Sequence, residues 1–237
     1  MIKNNSKKRV VVLTGAGVSA ESGLLTFRDS GGLWEGYDVM QVASIEGWYA
    51  NKELLLDFYN MRRKQAFEAK PNPAHFALKN LEKEYHVNII TQNVDDLHEK
   101  AGSTHVLHLH GKLREAKSEK DDSYIIDLKD KPIQMGDVCP KGGQLRPNVV
   151  WFGEMVPNIE PAAELVSKAD ILLIIGTSLV VYPAAGLVNA ARRDIPIYLI
   201  DPNIPNVAIG NPRFHCLEKK AGKGTPELVS KLLETNA

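Results

Sequence analysis

Cysteine is nearly absent: 237 residues hold two, Cys139 and Cys216. Two thiols cannot build a disulfide-rich scaffold, nor a four-cysteine metal site within one chain. Net charge is absent too, because 29 Lys and Arg are balanced by 29 Asp and Glu. A chain without a basic surplus is not built for non-specific nucleic-acid binding. No run of about 18 apolar residues occurs. The apolar stretch nearest the start, Val10–Leu13, is too short for a signal-peptide core. The expectation is a soluble cytoplasmic protein with neither nucleic acid nor membrane as partner. At this length it forms one large domain or one and a half, with a sizeable core.

What is present is a strand–helix rhythm. Val10–Leu13, Val87–Ile90, Ile171–Ile175 and Ile195–Ile200 are rich in Val and Ile and do not alternate with polar residues. That is how strands buried on both faces of a parallel sheet read. Segments with helical spacing, Pro73–Glu84 and Ala184–Arg193, lie between them, so the predicted fold is α/β, a doubly wound parallel sheet of Rossmann-like type. Each strand runs into small or polar residues: Thr14-Gly15-Ala16-Gly17, Thr91-Gln92-Asn93-Val94-Asp95, Gly176-Thr177-Ser178 and Asp201-Pro202-Asn203. Ligands of open α/β sheets bind at that carboxyl edge. Two stretches break the rhythm, 29–70 with a predicted helix from Lys52 to Ala69, and 114–146, the first half of which is dense with charge. They are expected to form a smaller lobe beside a large one made of 1–28, 71–113 and 147–237, with a ligand cleft between.

The loop Gly15-Ala16-Gly17-Val18-Ser19-Ala20-Glu21-Ser22-Gly23 follows the first strand and is predicted to open a helix. Glycines let a backbone approach a pyrophosphate, and a helix N-terminus favours its charge. The spacing is not the dehydrogenase fingerprint. Among the histidines, His98, His105, His108 and His110 all lie close to the Gln92–Asp95 segment in sequence. One of them, with a pKa near neutrality, suits general-base work.

Longer motifs make the reading specific. The stretch from Gly15 through Thr26-Phe27-Arg28-Asp29 to Gly31-Gly32-Leu33-Trp34 resembles the opening motif of the sirtuins, the NAD-dependent protein deacylases. Thr91–His98 resembles their TQN(I/V)D motif, His108-Leu109-His110-Gly111 their HG motif, and Leu145–Glu154 their LRPxVVWFGE segment. Gly176-Thr177-Ser178-Leu179 and Val181–Gly186 resemble their GTS and V-P-A motifs. The resemblance implies an NAD site. Gly15, Ala16, Gly17 and Glu21 belong to its glycine loop. Phe27 shields the nicotinamide side, and Arg28 lies near phosphates and ribose. Gln92, Asn93 and Asp95 hold the ribose and nicotinamide amide, and Gly176, Thr177 and Ser178 meet phosphate and adenine ribose. Asp201 and Asn203 both stay open as acceptors of ribose hydroxyls. His110 becomes the base, with Asn93 and Asp95 as its catalytic companions. Val149, Trp151, Phe152, Gly153 and Glu154 line the groove for an acylated lysine, where an extended peptide can add as a strand.

Tyr59 and Arg62 are three residues apart on one predicted helix face. Arg62 offers a planar fork for a carboxylate, and Tyr59 a hydroxyl beside it. This resembles the Tyr-x-x-Arg pair of the class III sirtuins, which implies removal of succinyl and malonyl, with some acetyl. Two alternatives stay beside it: a mono-ADP-ribosyltransferase on the same NAD site, and a non-catalytic NAD or acyl-lysine reader.

The sequence departs from the family at zinc. Most sirtuins hold one with two C-x-x-C pairs. Measured from His110, the first pair falls near Ser118 and Asp121, and neither is cysteine. The second reads Cys139-Pro140-Lys141-Gly142-Gly143, one cysteine short. Asp121, Asp122 and Asp127 offer oxygens, but a carboxylate-rich set with one thiolate is a poor structural zinc site. The expectation is no zinc, and a lobe packed around Tyr124, Ile125, Ile126 and Leu128 or else partly disordered.

Overall fold

The computed structural model describes residues 7–24, 33–34, 36–204 and 210–235. Its strands in chain order are β1 (Arg9–Thr14), β2 (Leu33–Trp34), β3 (Tyr37–Asp38), β4 (His86–Thr91), β5 (Val106–His108) and β6 (Gly111–Ser118), then β7 (Ile125–Asp127), β8 (Leu145–Val149), β9 (Ile171–Ile175), β10 (Ile197–Ile200) and β11 (Phe214–Leu217). The helices are α1 (Val39–Val42), α2 (Ile45–Ala50), α3 (Lys52–Glu68), α4 (Pro73–Leu81), α5 (Leu97–Lys100), α6 (Ile159–Ser167) and α7 (Ala221–Glu234).

Among the described residues six strands form the main sheet in the order β11-β10-β9-β1-β4-β5, every pair parallel. The chain builds outward from β1 through β4 to β5, then returns to add β9, β10 and β11 on the other side. The direction of winding therefore reverses between β1 and β9. The unalternating apolar runs have a simple cause: both faces are covered. Val10, Val12, Val87, Ile89 and Leu173 pack under α4 and α7, while Val11, Leu13, Leu172 and Ile174 pack under α6 and a 3₁₀ segment, Ala184–Ala190. That last segment replaces the α-helix expected from 184 to 193.

The second lobe has its own sheet, order β7-β6-β8, antiparallel throughout. Its core holds all three tryptophans of the chain at its centre or edge. Trp48 and Trp151 are buried and Trp34 packs against them, with Phe58 and Tyr59 between. Ring centroids lie 5.2 Å apart for Trp34–Phe58 and 5.5 Å for Trp48–Trp151. The chief donor is α3. Asn51 caps it by accepting from the Leu54 amide. Residues 55, 58, 59, 62, 63 and 66 then fall on one face, and all are buried. Burying Phe58 alone contributes about 1.5–3 kcal/mol. The arginines at the end of this helix, which in sequence resemble a solvated basic terminus, are inside.

The expected helix after Gly15 does not form. The chain makes two 3₁₀ turns, Ala16–Val18 and Ala20–Ser22. Its N–H groups are committed elsewhere: Gly15 donates to the Ile175 carbonyl at 3.0 Å and Gly17 to the Gly176 carbonyl at 2.9 Å. Glycine, serine and valine are also weak helix formers, so the sheet-edge bonds win.

A buried histidine pair sits beneath that edge. His75, on α4, accepts the Asn72 amide hydrogen through Nδ1 at 3.2 Å. His98, on α5, bonds the Thr14 hydroxyl through Nε2 at 3.1 Å, and the two rings are 4.9 Å apart. Burial pushes His75 down to about 4 and His98 down to about 3. Both are neutral at pH 7, whereas in the unfolded chain they take up protons near pH 6.5. Between those values the unfolded state binds more protons, so stability falls as pH drops. Urea denaturation from pH 6.5 to 5 should show a loss approaching about 1.4 kcal/mol per pH unit for each histidine. A His75→Gln, His98→Gln double variant should flatten that slope; a wild type already flat over this range contradicts the assignment.

Candidate active site

The crevice opens where the winding reverses, as expected for an α/β sheet. At its floor Gly15 and Gly17 press on Gly176 across the ends of β1 and β9. A Cβ on Gly176, whose φ is +64°, would stand 2.4 Å from the Val18 nitrogen. A Cβ on Gly15 would stand 2.7 Å from the Gly176 carbonyl oxygen. No side chain fits at either position, so two loops close to backbone contact and leave a cleft of about 350 Å³ above them.

Gly15, Ala16, Gly176, Thr177 and Ser178 line one part of this cleft. Gln92 joins them, its side-chain amide donating to the Thr177 hydroxyl at 3.1 Å. Asn93 and Asp95 stand beside them, both nearly buried. The Asn93 amide nitrogen donates to the Gly15 carbonyl and the Ser19 hydroxyl, each at 3.1 Å. The Ser19 hydroxyl in turn donates to Asp95 at 3.0 Å. Burial pushes the Asp95 carboxyl up, and hydrogen bonds from the Leu97 amide and Ser19 work against that. Ser19 is the residue that sequence reasoning missed. The signal was a small hydroxyl inside the glycine loop, which reads equally well as a turn residue.

The histidine ambiguity resolves by position. His98 is sealed beneath the sheet edge. His105 packs against His86, with the ring centres 5.1 Å apart and the planes tilted by 51°. His108 is buried, with both ring nitrogens engaged. His110 lines the cleft. Its Nδ1 lies 2.9 Å from the Gln92 carbonyl, which can only accept, so Nδ1 carries the proton and Nε2 the lone pair. Burial lowers its pKa below the ordinary histidine value, partly offset by that bond, so the ring is neutral at pH 7. The next residue, Gly111, allows this placement. It has φ +80°, and a Cβ there would fall 1.9 Å from the Asn148 carbonyl oxygen of β8.

The opposite wall belongs to the smaller lobe, whose core takes in Val149 and Trp151, both expected in the large one. Tyr59, Arg62 and Trp34 line it with Val149, Trp151, Phe152, Gly153 and Glu154. The Tyr59 oxygen accepts from Trp151 Nε1 at 2.9 Å, which leaves its own O–H to donate. Burial raises its pKa strongly, so it stays a phenol. The Arg62 guanidinium lies 5.0 Å from the Trp34 ring centre and donates to Gln65 at 3.2 Å. The bend after β8 is fixed by Arg146, which grips both Glu154 oxygens at 2.7 and 2.9 Å and stacks 3.5 Å from the Trp151 ring centre. Glu154 is thus spent on Arg146 as well as lining the cleft.

Four expected cofactor residues lie elsewhere than on the described cleft wall. Gly17 is packed against Gly176. Glu21 points away and accepts the Gly222 amide of α7 at 2.6 Å. Asp201, at the end of β10, is buried and accepts the Asn203 amide at 2.9 Å, while Asn203 is exposed. Phe27 and Arg28 fall outside the described residues.

The Sir2 family model matches residues 15–183. An NAD-dependent protein deacylase of Helicobacter pylori strain J99 is 52% identical over 227 residues, spanning 96% of each chain. A mutant Sir2 homologue solved with ADP-ribose superposes with a TM-score of 0.88 at 39% identity, covering 98% of this chain and 94% of that one. A Sir2 homologue solved with NAD gives 0.84 at 38%, covering 98% and 92%.

The chain belongs to the Sir2 family.

As a Sir2 protein it differs in the smaller lobe, where the residues do not fit a structural zinc. Among the described residues no group of three or more His, Cys, Asp or Glu is placed to hold a metal ion. Residues at and beside the positions that correspond to zinc ligands bond to one another instead. The Ser118 hydroxyl donates to Cys139 Sγ at 3.1 Å, and Asp121 pairs with Lys141 at 2.7 Å. Such contacts, one of them a solvent-screened surface ion pair, are weak beside the about 10–16 kcal/mol of a structural zinc. The lobe's stability therefore comes mainly from its aromatic core. The apolar segment expected to do this, Tyr124 to Leu128, is only its rim, and Ile125 is 49% exposed. Metal analysis of purified protein should find no stoichiometric zinc, and chelator should leave the melting curve unmoved. Trp48→Ala should cost about 3–5 kcal/mol, and Cys139→Ser far less. One zinc per chain contradicts this account.

Proposed function

We propose that this chain is an NAD-dependent protein-lysine deacylase that prefers acidic acyl groups, succinyl or malonyl. The observation that carries it is the Tyr59–Arg62 pair on one wall of the cleft whose other wall holds Asn93, Asp95 and His110. The cleft fits NAD by a physical test: the glycine floor would be filled by any Cβ, and polar groups converge above it. NAD, when bound, supplies a ribose carbon made electrophilic by its cationic nicotinamide leaving group.

The chain's own residues do the rest. Gly15, Ala16, Gly176, Thr177 and Ser178 hold the phosphate and adenosine side. Asn93 and Asp95 orient the nicotinamide amide and ribose, and the Ser19 network locks both rotamers before ligand arrives. His110 takes a proton at Nε2, and burial keeps it in the base form below the ordinary histidine pKa. Val149 to Glu154 receive the peptide bearing the acylated lysine. At the acyl end Arg62 provides charge and Tyr59 an oriented O–H. A mono-ADP-ribosyltransferase would use the same NAD side but has no task for a buried tyrosine–arginine pair, which is why deacylation is favoured.

Turnover of succinyl-lysine and acetyl-lysine peptides by wild type and Arg62→Met tests this. The methionine keeps the apolar stem against Trp34. Losing a charged hydrogen-bond partner costs about 1.5–3 kcal/mol, so kcat/KM for succinyl should fall by about ten- to a hundredfold, with acetyl little changed. An unaltered preference for succinyl would sink the proposal.

A further inference from the structure

The geometry points to His108 and Glu99 as positioning residues: a buried imidazolium–carboxylate pair that fixes Asn93 from behind the cleft. The inference rests on the NAD reading of Asn93 given above and deepens it.

His108 ends β5 and is 5% exposed. Its Nδ1 lies 3.1 Å from the Asn93 carbonyl oxygen and its Nε2 lies 2.8 Å from Glu99 Oε1 on α5. A carbonyl oxygen only accepts, so Nδ1 carries a proton. Burial alone would raise the Glu99 carboxyl, but the bond and charge of His108, with Lys112, bring it to about 2. A carboxylate also only accepts, so Nε2 carries the second proton. A neutral ring could satisfy one of these partners, and only the imidazolium satisfies both. The charged and titratable groups around it are Glu99, Lys112 at 3.4 Å from the same Glu99 oxygen, Asp95, and His98, itself neutral.

The contrast with His110 sharpens the assignment. Two histidines, two residues apart, hold successive carbonyls: His110 that of Gln92 and His108 that of Asn93. No acid contributes to the shift of His110, and its ring is neutral. Glu99 stands on the far nitrogen of His108, where a carboxylate accepts a second N–H. One histidine is left free to take a proton, and the other spends its charge on placement. Asn93 is then pinned at three points: its amide by Thr91 Oγ1, its carbonyl by His108, and its side-chain nitrogen by Gly15 and Ser19. The imidazolium also opposes the upward push of burial on Asp95.

The test combines spectroscopy with binding. Nitrogen-15 NMR of the histidine rings at pH 7.5 should show one ring protonated on both nitrogens in wild type, and none in Glu99→Gln. Calorimetry should then compare NAD with ADP-ribose, which lacks the nicotinamide that Asn93 faces. In Glu99→Gln and His108→Leu, NAD affinity should fall by about five- to tenfold, and ADP-ribose affinity much less. His108→Asn keeps an N–H for the Asn93 carbonyl and should recover part of the loss. A neutral His108 in wild type overturns the proposal, as does equal weakening of both ligands, or none. If wild type binds neither ligand, the NAD reading fails and the positioning role with it, while the spectrum still decides the ion pair.

Discussion

The backbone of Gly17 lies against the backbone of Gly176, and the ligand side of the sheet is arranged around that contact. The strands β1 and β9 deliver the two loops side by side at the point where winding reverses. Were either glycine to carry a side chain, the loops would part. The bond from Gly17 N–H to the Gly176 carbonyl would break, and with it the 3₁₀ turn that carries Ser19. Ser19 orients Asn93 and Asp95, so a steric constraint between two glycines reaches the polar centre of the site in two steps.

Buried charge is a second constraint on the smaller lobe. Arg62, Arg63 and Arg146 all lie inside the smaller lobe. A buried cation is costly unless its hydrogens are used, and here stacking and hydrogen bonds use many of them. Arg63 donates to the Leu113 carbonyl and Asn60, and Arg146 holds Glu154. Arg62 is different in kind, because it lines a cavity. In the same lobe the described residues do not fit a structural zinc, and aromatic side chains fill the core. Three tryptophans gathered in one small core supply apolar burial on a scale that Ser118, Asp121, Cys139 and Lys141 cannot.

Much of this was legible in the sequence, for reasons that can be stated. Unbroken Val and Ile runs reported burial on two faces, and the four core strands lie where those runs are. The polar residues after them marked the binding edge because parallel strands bring all their carboxyl ends to one side. Tyr59 and Arg62 shared a face by spacing alone. What was not legible depended on long-range contacts. The glycine loop read as a helix start because sequence does not show that its N–H groups bond across to β9. Glu21 looked like a ligand contact but anchors α7, two hundred residues away in the chain. Asp201 and Asn203 could not be separated, and the fold turns them toward each other. His108 and His110 are alike in sequence; the fold buries one beside the Glu99 carboxylate and sets the other in the cleft.

The claim that the glycine contact creates the cofactor crevice is tested most directly by Gly176→Ala with calorimetric titration of ADP-ribose. The new Cβ meets the Val18 nitrogen at 2.4 Å in a left-handed backbone conformation. The account predicts at least about a tenfold loss of affinity, equivalent to about 1.4 kcal/mol, together with a lower melting temperature. A variant that binds ADP-ribose as tightly as wild type would contradict it.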